Sequence, residues 1–209
     1  MKEFLQKYMT QLEWGLGTLA VLLPVVAWLD RADVSDLTLY DVFPPLGLIA
    51  FGLMWTHFVM GALRRYAGVS GRRRDMYAVV SMGLVLGLII LHPGLLWIAL
   101  YMDGLGLPPQ SALTAYSTQA IFIILGTLGL MIFLSFELKR FFGKKTWWKY
   151  IERIQVLGMI AIFIHAIGLG SELRIDWFMV VWIFYGVTFV ASVIYSQFVY
   201  KKMEKNAKQ

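Results

Sequence analysis

The sequence predicts an all-α integral membrane protein, a six-transmembrane helix bundle with both termini inside, and three observations predict it. Of its 209 residues, 59% are hydrophobic and only 15% charged, whereas a soluble domain carries about 25% charged residues. Six stretches are long and apolar enough to cross a bilayer, which takes about 20 mostly apolar residues. Lysine and arginine are concentrated in every second connection between those stretches, the distribution that holds loops on the cytoplasmic side. The apolar excess runs the whole length, so 1–209 reads as a single transmembrane domain with no room for a separate soluble one.

The spans fall at roughly 14–29, 43–63, 76–101, 116–136, 149–170 and 176–199. The first is short, is ended by Asp30 and contains Pro24. Its alternative is a tilted or interfacial helix preceded by the amphipathic stretch 4–12. The N-terminal region mixes acids with lysines and lacks a small-residue cleavage site, so this segment is expected to be a retained helix rather than a removed signal. No alternation long enough for a barrel strand, no internal repeat and no long linker stands out. The chain has no cysteine, which excludes disulfides, cysteine-ligated iron–sulfur clusters and covalently attached c-type haem.

Arg64, Arg65, Arg72, Arg73 and Arg74 lie between spans two and three, Lys139, Arg140, Lys144, Lys145 and Lys149 between four and five, and Lys201, Lys202, Lys205 and Lys208 in the tail. The other three connections hold only Arg31 and Arg174, against Asp30, Asp33, Asp36, Asp41, Asp103, Glu172 and Asp176. The net charge of +6 is therefore first a topology signal, and it places the protein in the plasma or inner membrane with its termini in the cytoplasm. The run 72–74 reads as topology and lipid-phosphate contact, or else as a docking surface for an anionic partner. Basic clusters that flank spans are not a nucleic-acid footprint.

Aromatic residues sit where interfacial belts belong: Trp147, Trp148 and Tyr150 at the inner entrance of the fifth span, and Trp97, Tyr101 and Trp177 at outer ends. Gly83 and Gly87 form a GxxxG in the third span, and Gly126 and Gly129 are close in the fourth, a signature of tight helix packing. Methionine and phenylalanine read as packing or lipid-facing side chains.

The sequence holds three histidines, His57, His92 and His165, all inside spans, where an ionisable residue marks a functional site by default. At 1.5 Å per residue, His92 and His165 each lie about 24 Å from the inner ends of parallel helices, so they share one depth in the outer half. His57, on a helix of opposite direction, lies about 21 Å from the outer side, in the inner half. Two imidazoles at one depth on different helices are the ligand set of a six-coordinate b-type haem, with His92 and His165 as the axial ligands. Gly83, Gly87, Gly94, Gly158, Gly168 and Gly170 would leave room for a porphyrin, although helix packing also accounts for them. Two histidines with no carboxylate at their depth are too few for a catalytic zinc site. For His57, a hydrogen bond to a neighbouring helix competes with a functional role.

The stretches RRYAGVSGRRRDMYAVVSMGLVLGLIILHPGLL and ELKRFFGKKTWWKYIERIQVLGMIAIFIHAIG resemble the ferric reductase-like transmembrane superfamily, which includes the haem-binding membrane subunit of the methionine-sulfoxide reductase system. The similarity covers spans two to six: a basic loop leading into a third helix with an outer histidine before proline (His92–Pro93), and a Trp-Lys segment leading into the fifth. Most members bind two stacked haems between these helices. The resemblance implies that His92 and His165 match the outer pair. The inner ligands would fall at Glu152, thirteen residues before His165, and near Ala78 or Val79. None of these is histidine, which implies one haem b in the outer half and no ordinary inner one.

The expected function is a membrane b-type cytochrome passing electrons from a cytoplasmic or quinol donor to an acceptor on the outer face. His57, Glu152 and Arg153, with Gln155 and Trp55 nearby, form a candidate quinone or flavin site in the inner half, Glu152 or His57 exchanging the proton. The competing reading leaves Glu152 and Arg153 at the interface, paired with loop charges. His57 as a replacement ligand for a displaced inner haem is a further alternative. No GxGxxG occurs, so a separate flavoprotein or quinol is the expected donor, and the outer acceptor is ferric iron, oxygen or a partner protein. Two other classes compete: a haem-free structural or assembly subunit, and a small transporter with His57 and Glu152 on a proton path.

Overall fold

The computed structural model describes residues 1–69, 76–137, 145 and 148–200, without the side chains of 136, 137, 149, 151 and 152. The basic run 72–74, most of the second basic loop, Trp147, the lysine-rich tail and the Glu152 side chain lie outside the described residues. The longer helices are α1 (Lys2–Leu29), α2 (Leu39–Ala67), α3 (Met76–Met102), α5 (Ala120–Glu137), α6 (Trp148–Leu169) and α7 (Asp176–Ile194), with a short α4 (Gln110–Ala115) between α3 and α5. No strand occurs among the described residues. Among the described residues, five helices are long and apolar enough to cross a membrane, and the apolar part of α6, Arg153–Leu169, is shorter. Large side chains such as Leu22 on α1, Leu84 on α3, Met131 on α5 and Val187 on α7 are exposed on the outside of the bundle. Apolar surface on that scale is not left to water, and it fits contact with lipid.

The first helix departs from expectation. It runs unbroken from Lys2, so the amphipathic stretch 4–12 and the apolar stretch belong to one helix. Leu5, Met9, Glu13, Gly17, Ala20, Pro24 and Ala27 are its buried residues, spaced three or four apart and therefore on one stripe. Glu13 sits on that stripe, 2% exposed, and its Oε1 lies 2.5 Å from Arg64 of α2.

The bundle is organised on α2, which packs against α1, α3, α6 and α7. Asp41 accepts hydrogen bonds from the backbone N–H and hydroxyl of Thr38 at the start of α2, and Gly68 ends it with φ +71, a left-handed turn that favours glycine. Proline inside a helix removes the donor that the carbonyl four residues earlier would use. Pro45 frees the Asp41 carbonyl in this way, and Trp28 of α1 donates its Nε1–H to it at 2.8 Å. Pro24 frees the Ala20 carbonyl, and Gly52 of α2 lies so close that a Cβ there would be 3.0 Å from that oxygen. The proline sites are thus also where α1 and α2 meet.

An aromatic core joins α2 to α7. Phe51, Phe178 and Trp182 are almost wholly buried, Trp182 stacks on Phe163 of α6, and Trp55 stacks on Tyr185 and donates to the Thr188 hydroxyl at 2.8 Å. The acid-bearing connections meet at one end: Arg31 donates to the Ser171 carbonyl, Trp177 to Asp30 and Tyr40 to Asp103. At the opposite end Gln6 donates to the Ala67 carbonyl and Arg65 to Ser196.

Two aromatic and glycine expectations change. Trp148 is 3% exposed, packed inside rather than placed in a belt, whereas Trp97, Tyr101, Trp177 and Tyr150 are exposed. Gly83 and Gly87 face open space, while Gly129 lies against Ile162 and Gly158 against Ile132. The third span's GxxxG is on the outer surface of the bundle, and the close packing is between α5 and α6.

Removing one partner of a buried ion pair strands the other, so Glu13→Ala should cost about 1–3 kcal/mol, reduced from the fully buried case because Arg64 reaches the surface. The Glu13→Ala, Arg64→Ala double variant should lose less than the sum of the singles. Thermal unfolding in detergent checks this, and strictly additive losses would contradict it.

Candidate functional site

Helices α3 and α6 bring His92 and His165 together. Their ring centres are 6.3 Å apart and nearly perpendicular, at 87°. The two rings line one cavity, about 1380 Å³ including its open mouth, between the α2–α3 and α5–α6 pairs. Its walls are mostly apolar, among them Leu48, Met54, Leu96, Leu130 and Phe133, and its polar lining includes Thr127, Tyr116 and Glu172.

Each imidazole is held in the same way. His92 Nδ1 is 2.7 Å from the Phe43 carbonyl of α2, and His165 Nδ1 is 2.7 Å from the Phe122 carbonyl of α5. A carbonyl only accepts, so both rings carry their proton on Nδ1 and leave a lone pair on Nε2. A helical carbonyl has a second lone pair available for such a bond. Four residues along from each phenylalanine is a glycine against which the ring lies. A Cβ on Gly47 would be 2.8 Å from His92 Cε1, and one on Gly126 would be 2.5 Å from His165 Nδ1. The spacing of four residues puts carbonyl and glycine on one helix face, so the motif Phe-x-x-x-Gly forms a slot for one ring. It occurs once on each side of the cavity, at 43–47 and 122–126.

These are the residues that sequence reasoning missed. Gly47 was not singled out, and Gly126 was assigned to helix packing. Of the glycines expected to leave room for a porphyrin, Gly83, Gly87 and Gly94 have open space, Gly158 meets Ile132, and Gly168 meets the Phe122 ring. Gly170 alone of that set lines the cavity. The available signal was the repeated phenylalanine–glycine spacing, but its meaning depends on which histidine faces it.

His57 and Arg153 are arranged differently. His57 Nε2 is 3.0 Å from the Ser81 hydroxyl of α3, its ring lies against Tyr77, and Tyr77 and Thr56 share a hydrogen bond. Arg153 is exposed, with its guanidinium 6.0 Å from the Tyr150 ring. Neither His57 nor Arg153 lines the cavity, and the Glu152 side chain is outside the described residues. His57 thus has the interhelical hydrogen bond that was its structural alternative. Tyr116, in the connection after α4, lines the cavity wall. Among the described residues, no three His, Cys, Asp or Glu side chains converge as a metal cluster.

No family model matches the chain, and neither a curated protein nor a solved structure matches it.

Nitrogen-15 spectra of histidine-labelled, colourless protein in detergent should show the Nδ1–H tautomer for both His92 and His165. Gly126→Ala should displace the His165 signals while leaving those of His92 nearly unchanged. An Nε2–H tautomer at either ring would contradict the slot geometry.

Proposed function

We propose that this protein is a membrane b-type cytochrome of the ferric reductase-like kind, binding one haem between His92 and His165. The observation that carries the reading is the paired imidazole geometry. Imidazole nitrogen binds zinc, and first-row metals in general, at about 2.0 Å. With roughly 1.1 Å more from nitrogen to ring centre, two imidazoles sharing one metal would have centres up to about 6 Å apart. The 6.3 Å between His92 and His165 fits that spacing. Metal-ligating histidines commonly donate their other N–H to a backbone carbonyl, which fixes the tautomer and raises the basicity of the ligating nitrogen. Both rings do this. The cavity beside them has the apolar lining that a porphyrin face requires.

His92 and His165 would hold the iron, and the Phe43 and Phe122 carbonyls would orient them. Gly47 and Gly126 would admit the rings, and the surrounding apolar side chains would exclude water. The haem, when bound, supplies one-electron redox chemistry. In the six-span reading with both termini in the cytoplasm, this centre would lie in the outer half of the membrane, suited to delivering electrons to an outer-face acceptor. The clustering of acid-bearing connections at one end supports that orientation. A separate flavoprotein or quinol would supply the electrons. An inner cofactor near His57, Glu152 and Arg153 remains part of the proposal, with His57 and Glu152 as its proton-exchanging groups.

The test is a dithionite-reduced minus oxidised spectrum of purified protein. A b-type band is expected, lost in His92→Ala and in His165→Ala and retained in His57→Ala. Gly126→Val, which fills the slot, should lower haem retention about 10–100-fold, the range seen when support behind a metal ligand is removed. A colourless protein after haem supplementation, with both histidines intact, would overturn the reading in favour of a scaffold or a transporter.

A further inference from the structure

The cavity has a second charged feature that the histidine pair does not use. Glu172 lines it from the short turn Glu172–Arg174 that joins α6 to α7. The residue is 2% exposed, and its Oε2 has no hydrogen-bond partner. The two nearby cations of the same end do not reach it: Arg31 donates instead to the Ser171 carbonyl, and Arg174 is exposed. A buried carboxylate left without a partner is costly, and a suitable occupant of the cavity beside it would relieve that cost.

The surroundings select the chemistry of that occupant. A small metal ion needs several oxygen or nitrogen ligands, and no cluster of three candidate side chains occurs among the described residues. An anion would be repelled by the carboxylate. A neutral hydroxyl would satisfy one oxygen but leave the charge unbalanced. A diffuse organic cation answers both needs, because its charge is spread over methyl groups that tolerate apolar walls and attract aromatic faces. Trp97, Tyr116, Pro108 and Pro109 line the same cavity. Asp30, Asp33, Asp36, Asp103 and Asp176 belong to connections gathered at this end, and such a field concentrates cations.

We propose that the acid-rich end of the cavity is a binding site for a quaternary ammonium group, held by the Glu172 carboxylate against Trp97 and Tyr116. The site stands on the cavity and its unpartnered carboxylate and does not depend on the haem. The trimethylammonium group comes either from a soluble cation or from a choline lipid headgroup, which share this chemistry.

Saturation-transfer NMR on the full-length protein in a choline-free maltoside detergent tests it, with choline as the probe and 3,3-dimethylbutan-1-ol as its uncharged isostere. Choline should bind saturably, the isostere at least tenfold more weakly. Glu172→Gln should weaken choline at least tenfold and leave the isostere unchanged, while Glu172→Asp should retain binding within a few-fold. Equal binding of choline and isostere, or wild-type affinity in Glu172→Gln, would overturn the proposal. If Glu172→Gln fails to fold, Trp97→Leu and Tyr116→Ala decide: each should weaken choline several-fold, and unchanged affinity in both overturns it. Competition by added phosphatidylcholine identifies the lipid headgroup as the occupant, and its absence identifies a soluble cation. Visible spectra of the same samples keep the two readings apart. Colourless protein that binds choline overturns only the haem, and coloured protein that does not overturns only the ammonium site.

Discussion

The cost of an imidazole inside an apolar bundle is the constraint from which the arrangement follows. Such a ring needs a hydrogen bond, and helices offer few acceptors because their carbonyls are already used. The solution here is used twice: a helical carbonyl lends its second lone pair, and a glycine four residues on lets the ring approach the backbone. Phe43 with Gly47 does this for His92, and Phe122 with Gly126 does it for His165. With both Nδ1 protons committed to carbonyls, the two Nε2 lone pairs are left for the cavity.

The placement of that cavity depends on how the helices pair. Helix α3 packs chiefly on α2, and α5 chiefly on α6. The aromatic core of Phe51, Trp55, Trp182 and Tyr185 ties α7 to α2, and Trp182 lines the cavity that the histidines share. Proline-freed carbonyls contribute to the same packing. The Trp28 indole satisfies one, and Gly52 approaches another, so α1 is bound to α2 at points where each helix is locally weakened.

The resemblance to ferric reductase-like proteins rests on basic loops and histidine placement along the sequence. What supports the redox reading is therefore internal to the molecule: ring separation, shared tautomer and apolar enclosure. The unpartnered Glu172 is equally internal, and it gives the same cavity a charge requirement that the histidine pair does not meet.

Helical character, the approximate limits of the long helices and the common depth of His92 and His165 were legible in the amino-acid order. Hydropathy and a rise of 1.5 Å per residue are local properties that accumulate along one chain. Rotation about each helix axis was not legible, because helices apolar on every side mark no face. Only packing decided that Gly83 and Gly87 point outward while Gly47 and Gly126 cradle the imidazoles, that His57 meets Ser81, that Trp148 is buried, and that Glu172 turns into the cavity. Each of those outcomes depends on a neighbour contributed by a distant part of the chain, so no single stretch of sequence contains it.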